Sequence, residues 1–283
     1  MDIQNLIFEG GGVRGIAYGG AIERLHEYGL YEDVKNVAGS SAGAICAAIL
    51  ASGYKPDQLT DMLIEIDYSK FADNSFGFIR DSLRFIKRYG WNKGDYFEQW
   101  LGKMVLRPNI TMKELYDLNI GPKLYIIASN VTTGHQEIIS HETHPNLPVV
   151  TAVRASMAYP FFFTPVKIND CYYVDGGLLN NFPVKIFEDT EKTIGFSLVQ
   201  RDECVIDEYN EIKKIPIKSV FGYIKSVIMS MHTNLQDAKI TGFPKEQIIE
   251  IDIGSVPVLK FDLTATEIDF MIDAGRKAME EFL

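Results

Sequence analysis

Cysteine is scarce in this chain. Its 283 residues hold three, Cys46, Cys171 and Cys204, odd in number and widely spaced. A disulfide framework is therefore not expected, and no metal-ligand spacing appears among them. Such sparing use favours a reducing compartment, and we expect a cytoplasmic location. Positive charge is also short: 28 Lys and Arg against 38 Asp and Glu leave a net charge of −10. That balance disfavours nucleic acid as a partner. No uncharged apolar run reaches the ~18 residues of a membrane-crossing helix. The start, Met1-Asp2-Ile3-Gln4-Asn5, has neither a basic segment nor an apolar core behind it, so no signal peptide is expected. Repeats, low-complexity tracts and Gly/Ser/Pro-rich linkers are missing too, so residues 1–283 read as one domain.

What is present is an ordinary globular composition, 46% hydrophobic and 23% charged, with length enough for a sizeable core. Leu6-Ile7-Phe8 is a short apolar run ending in glycines, which suits a buried strand. Ile16 to Tyr28 has helical spacing, with Gly29 placed as its stop. Val34 to Ala38 reads as a second strand, and Ala42 to Ser52 as a small-residue helix closed by Gly53. Strand, helix, strand, helix points to an α/β fold with helices packed on a mostly parallel sheet. Further strands are expected over Leu124 to Ser129, Cys171 to Val174, Thr193 to Leu198 and Ile248 to Ile253. A last helix is expected over Thr264 to Leu283, capped by Thr264 or Thr266. The core is expected over about 5–200, with an aromatic-rich helical insert at about 57–116 and an extension at about 205–283. The insert, with Phe71, Phe76, Phe78, Phe85, Tyr89, Trp91, Tyr96, Phe97 and Trp100, either covers a substrate cleft or forms a second layer of core.

Chemistry concentrates in three places. Gly39-Ser40-Ser41-Ala42-Gly43 is a G-x-S-x-G pentapeptide between a strand and a helix. A tight turn there exposes the central Ser41 at a helix N-terminus and needs small neighbours on both sides. The plain alternative is a helix start with Ser40 as its cap. Asp175-Gly176-Gly177 ends another strand-like run and is either a turn or a base for Ser41. The third place is the loop Gly10-Gly11-Gly12-Val13-Arg14-Gly15, whose successive amides can converge on an anion as an oxyanion hole.

The same loop fits G-x-G-x-x-G through Gly10, Gly12 and Gly15, with Glu32 as a possible ribose ligand. That dinucleotide reading is weak. Glu32 precedes the second strand instead of ending it, and Arg14 intrudes where a pyrophosphate must approach. A Walker loop fails because no Lys-Ser or Lys-Thr follows. Of the five histidines, His26 sits in the first helix. His135, His141 and His144 lie in what reads as a turn and loop, and neither they nor His232 has a triad context. A Ser-His-Asp triad is therefore not expected. A partly desolvated carboxylate can serve the serine directly.

Together these blocks resemble the patatin-like phospholipases. The likeness extends to Ala155-Ser156-Met157-Ala158-Tyr159-Pro160 ahead of Asp175, and to Asn181 and Pro183 after it, covering about 5–200. The resemblance implies a three-layer α/β/α fold with a Ser-Asp dyad, Ser41 as nucleophile and Asp175 as base. It places the oxyanion on the backbone of Gly10, Gly11, Gly12 and Val13, with Arg14 nearby. It further implies hydrolysis of acyl esters in phospholipids or lysophospholipids, without calcium or another cofactor. A non-catalytic lipid- or protein-binding module and a dinucleotide-dependent oxidoreductase are the competing readings. Peripheral membrane contact is expected of such an enzyme. Two basic islands offer themselves, Arg80, Arg84, Lys87 and Arg88 in one, Lys213 to Lys225 in the other. Each is either an interfacial helix or an ordinary solvated face. Oligomeric state is not legible.

Overall fold

The computed structural model describes residues 2–71, 89–200, 223, 226 and 240–283. Both basic islands apart from Tyr89 and Tyr223, together with Phe76, Phe78, Phe85, Cys204 and His232, lie outside the described residues.

In chain order the elements begin with β1 (Asn5–Phe8), a 3-10 turn (Gly12–Ile16), α1 (Ala17–Glu27), β2 (Asn36–Ser40) and α2 (Ala42–Ala51). Next come α3 (Pro56–Ile64), a 3-10 turn (Tyr68–Phe71), β3 (Gly90–Asn92), α4 (Asp95–Met104) and α5 (Met112–Leu118). They are followed by β4 (Lys123–Asn130), β5 (His135–Ile139), α6 (Val149–Ser156), β6 (Phe161–Phe163), β7 (Val166–Ile168) and β8 (Cys171–Asp175). The last are α7 (Gly177–Asn180), β9 (Thr193–Val199), β10 (Ile248–Asp252) and α8 (Ala265–Phe282).

One eight-stranded sheet runs β10-β9-β1-β2-β4-β8-β7, with β5 added beside β4. The half from β10 to β4 is parallel, whereas β5 and β8 run antiparallel to β4. Strand alternation splits the core between the two faces. Leu6, Phe8 and Val37 join the large cluster that packs helices such as α1, α2 and α8. Ile7 and Ala38 face the opposite way, onto Phe182, Val184 and Phe243. Phe8 stacks on Phe196 of β9 at 5.3 Å and meets Tyr18 of α1 edge-on. The layering is therefore α/β/α, as the sequence pattern indicates.

Three expectations are corrected. The segment from Gly12 to Ile16 is a 3-10 turn, so α1 proper starts at Ala17. His135 lies in strand β5, not in a turn. Its hairpin closes through Asn130, whose Oδ1 accepts from the amides of Thr132 and Thr133. And β2 starts later and ends later than the apolar run suggests, reaching Ser40. The cap of α8 is Thr264, in a capping box with Glu267. Among the described residues no helix is long and apolar enough to cross a membrane.

Candidate active site

β2 delivers the chain to Ser41 at backbone angles φ 51, ψ −119. A non-glycine residue holds such angles only where its surroundings over-determine them. Two close approaches do so here. A Cβ on Gly39 would fall 2.2 Å from the Gly43 carbonyl carbon, and one on Gly43 2.3 Å from the Phe8 carbonyl oxygen. Only glycine fits either place, so the pentapeptide pattern is a packing requirement of the strand-to-helix turn. The Ser41 side chain does not cap α2. Its hydroxyl faces the Asp175 carboxylate closely enough to favour the charged form of that group. Nor is Ser40 the cap: it is the last residue of β2, fully buried, its hydroxyl unpartnered among the described residues.

Asp175 ends β8 and is 5% exposed. Its Oδ1 accepts from the Gly177 amide at 2.7 Å. Burial pushes its carboxyl up to about 6, against the lowering effect of the Ser41 hydroxyl and the Gly177 amide. Tyr159 faces the same carboxylate and, chiefly through burial, is itself pushed up to about 12.

The glycine loop lies beside this pair. Gly10 approaches closely, since a Cβ there would stand 3.2 Å from the Ser41 Cβ. The loop is held from below by Glu9, a buried carboxylate that is 4% exposed. Glu9 accepts from the Ser197 hydroxyl at 2.7 Å, the Leu198 amide at 2.8 Å and the Asn181 side-chain amide at 3.0 Å. Asn181 also donates to the Gly10 carbonyl at 2.9 Å, and the Gly10 amide returns a bond to the Asn181 carbonyl at 3.1 Å. From above, the Val13 amide donates to the Val258 carbonyl at 3.1 Å, and Arg14 Nε to the Val256 carbonyl at 2.6 Å. Two of the four amides expected to bind an oxyanion, those of Gly10 and Val13, are thus engaged by carbonyls. The amides of Gly11 and Gly12 donate to no backbone carbonyl among the described residues.

Two clefts meet at Ser41. One, about 600 Å³, is apolar, with Ile45, Leu63, Ile66, Tyr68, Phe71 and Phe261 among its walls. The other, about 870 Å³, is more polar and includes Glu9, Arg14, Asn181 and Ser197. Gly12, Ser41, Tyr159, Asp175 and Val258 line both. The insert contributes both to the wall of the apolar cleft and to the core. Leu63, Tyr68 and Phe71 wall the apolar cleft, while Leu59, Phe97 and Leu101 are plain core. No described histidine lines either cleft. His26 pairs with Glu32 at 3.2 Å, and His144 stands 3.5 Å from Glu137. That placement of Glu32, on the loop entering β2 and so at the opposite end of the strand from Ser41, removes the residue on which a dinucleotide site would depend. Among the described residues no group of three or more His, Cys, Asp or Glu side chains could hold a metal ion.

The comparisons with known proteins agree on the class. A family model described as patatin-like phospholipase matches residues 6–188. Over 293 aligned positions the chain is 32% identical to YqhO of Bacillus subtilis, covering 98% of this chain and 97% of that protein. It is 27% identical over 193 residues to the probable lipid hydrolase 463L of Invertebrate iridescent virus 6, covering 65% of this chain and 62% of that one. Among solved structures, VipD from Legionella pneumophila superimposes with a TM-score of 0.67 at 18% identity, over all of this chain and 67% of VipD. At that identity the likeness is one of fold. The chain belongs to the patatin-like phospholipase family.

All eight residues singled out in the sequence come together: Ser41, Asp175 and the run from Gly10 to Gly15. Four further contributors carry no role that the sequence alone assigns. Ser156 stands there only as part of the family-like segment, and Glu9 only as the residue before the glycines. Asn181 fits the family pattern without a stated task. Val258 acts through its backbone carbonyl, which leaves no residue signature.

Proposed function

We propose that this chain hydrolyses carboxylic ester bonds of phospholipids or lysophospholipids, with Ser41 as nucleophile and Asp175 as general base. The observation that carries the reading is the placement of Ser41 beside the buried Asp175 carboxylate, at the junction of an apolar and a polar cleft that both residues line. Such a junction suits an ester that joins one acyl chain to a polar alcohol. Family membership and the printed name of the viral relative, a probable lipid hydrolase, support the same substrate class.

The steps follow from the placement. As Ser41 Oγ attacks the ester carbonyl, its proton passes to Asp175. Negative charge on the former carbonyl oxygen is received by the amides of Gly11 and Gly12, at the positive end of the turn that leads into α1. The tetrahedral adduct collapses, the C–O bond to the alcohol breaks, and Asp175 returns its proton to the departing oxygen. Water then attacks the acyl-serine, giving its proton to Asp175. Release of the fatty acid returns that proton to Ser41.

The test is covalent labelling followed by product analysis. An alkyl fluorophosphonate is expected to modify Ser41 alone among the serines, and defined phospholipids and lysophospholipids to yield free fatty acid. Ser41→Ala is expected to abolish both while leaving the melting temperature near that of the wild type. A wild-type protein that neither labels nor releases fatty acid refutes the reading.

A further inference from the structure

We propose that Ser156 is the positioning residue that holds Ser41 against Asp175, a role that rests on the hydrolase reading above. Ser156 is the last residue of α6 and is 0% exposed. Its hydroxyl stands between two strand ends. It accepts from the Ser41 amide at 2.9 Å and donates to the Ile127 carbonyl of β4 at 2.5 Å. Its own carbonyl accepts from the Gly176 amide at 3.0 Å. Two residues on, the Ala158 carbonyl accepts from the Asp175 amide at 3.0 Å. The stretch from Ser156 to Ala158 thus grips the backbone on both sides of the reacting pair, and a single side chain reaches the nucleophile's own amide.

That amide needs an acceptor. Ser41 precedes the first residue of α2, so its N–H has no partner within that helix, and it stands at φ 51. A backbone outlier of this kind persists only while its contacts pin it. Without the Ser156 hydroxyl, the Ser41 amide loses its acceptor and the Ile127 carbonyl loses a donor. The turn then relaxes toward ordinary angles and carries Oγ away from the carboxylate. A misplacement of about 1 Å at a reacting atom costs roughly a hundredfold in rate. The clefts that bind substrate are lined by other residues, so binding is spared.

The experiment is single-turnover inactivation of the full chain by an alkyl fluorophosphonate, which reports kinact and KI separately. Wild type, Ser156→Ala and Ser156→Thr are compared, with melting temperature recorded for each. Ser156→Ala is expected to lower kinact by about tenfold to a hundredfold with KI within about twofold. Ser156→Thr keeps the hydroxyl and is expected to recover kinact to within about threefold. A wild-type kinact in Ser156→Ala, a loss confined to KI, or a folded Ser156→Thr as slow as the alanine variant overturns the positioning role. Should the added methyl prevent folding of Ser156→Thr, the split between kinact and KI in Ser156→Ala decides alone. A wild-type protein that labels at no serine overturns the hydrolase reading and this role with it. Labelling of wild type and Ser156→Ala at Ser41 with equal rates overturns the role only.

Discussion

Ser41 meets Asp175 because their strands end on consecutive residues of β4. Ser40 pairs with Ile127 and Asp175 with Ala128, both on the flank of β4 that β5 does not occupy. β2 runs parallel to β4 and β8 antiparallel, so the two carboxyl ends point at one another. A wholly parallel sheet gathers its functional loops at one edge. Here one reversed strand brings an acid in from the opposite direction and buries it at the turn of the other.

Activity is expected to rise with pH through about 6. Asp175 must be ionised to take the Ser41 proton, and burial pushes its carboxyl up to about 6. Tyr159, pushed up to about 12, stays neutral across that range. The acid limb of kcat/KM reports the free enzyme's base, so a profile on a soluble ester checks this directly. A limb near the ~4 of an exposed aspartate would take Asp175 out of the role.

The same burial predicts that Asp175→Asn makes the protein more stable while inactivating it. Folded Asp175 holds its proton more tightly than the unfolded chain does. Its favourable contribution is therefore complete below about pH 4 and is lost as pH rises through about 6. Above that, the buried charge costs about 2–3 kcal/mol. Asparagine removes the charge and keeps an oxygen to accept the Gly177 amide. Its melting temperature is expected to exceed wild type by about 3–5 °C at pH 8 and to match it at pH 4. Ester turnover is expected to fall by about a thousandfold or more. Calorimetry at the two pH values, with an assay alongside, checks both halves.

Glycine is required in this fold for two separable reasons, and two alanine variants distinguish them. At Gly43 a Cβ would stand 2.3 Å from the Phe8 carbonyl oxygen, backbone that cannot yield. Gly43→Ala is expected to lose about 3 kcal/mol or more and to express poorly. Gly29 ends α1 at φ +68, and a Cβ there would meet nothing within 4 Å. At that position the cost is conformational alone, about 1 kcal/mol. Chemical denaturation of the two variants measures the difference.

How far the sequence can be read depends on what kind of group carries each contact. β1, β2, α2, β9 and α8 announce themselves by apolar runs, stop glycines and the Thr264 cap, and their expected bounds lie within a few residues of those observed. β5 does not, because it is an edge strand whose polar start, His135-Gln136-Glu137, looks like loop. The site splits the same way. Ser41, Asp175 and the glycine loop are legible because their chemistry needs fixed residue types in fixed order. Their contact is not, since nothing local says that β8 reverses. The engagement of the Gly10 and Val13 amides depends on carbonyls of Asn181 and Val258, and every residue type has a carbonyl.

The segment from Gly254 to Leu263 lies beyond the part matched by the family model, yet it walls the apolar cleft. Val258 takes the Val13 amide, and α8 anchors the segment's far end through the pairing of Arg276 with Glu23 of α1 at 2.9 Å. Phe261 stacks on Phe162 of β6 at 5.3 Å and tilts against Phe71 of the insert at 6.0 Å. If the apolar cleft receives the acyl chain, truncating this ring removes contact from the distal methylenes and not from the ester. Each buried methylene is worth about 0.8 kcal/mol, so losing the cover over two of them costs about tenfold in rate. Phe261→Ala is therefore expected to lower kcat/KM about tenfold for long-chain esters and to leave short-chain esters within about twofold. Phe261→Leu is expected to fall between. Rates on a chain-length series measure the effect, and an equal loss at every length would mean that Phe261 supports the fold without shaping the cleft.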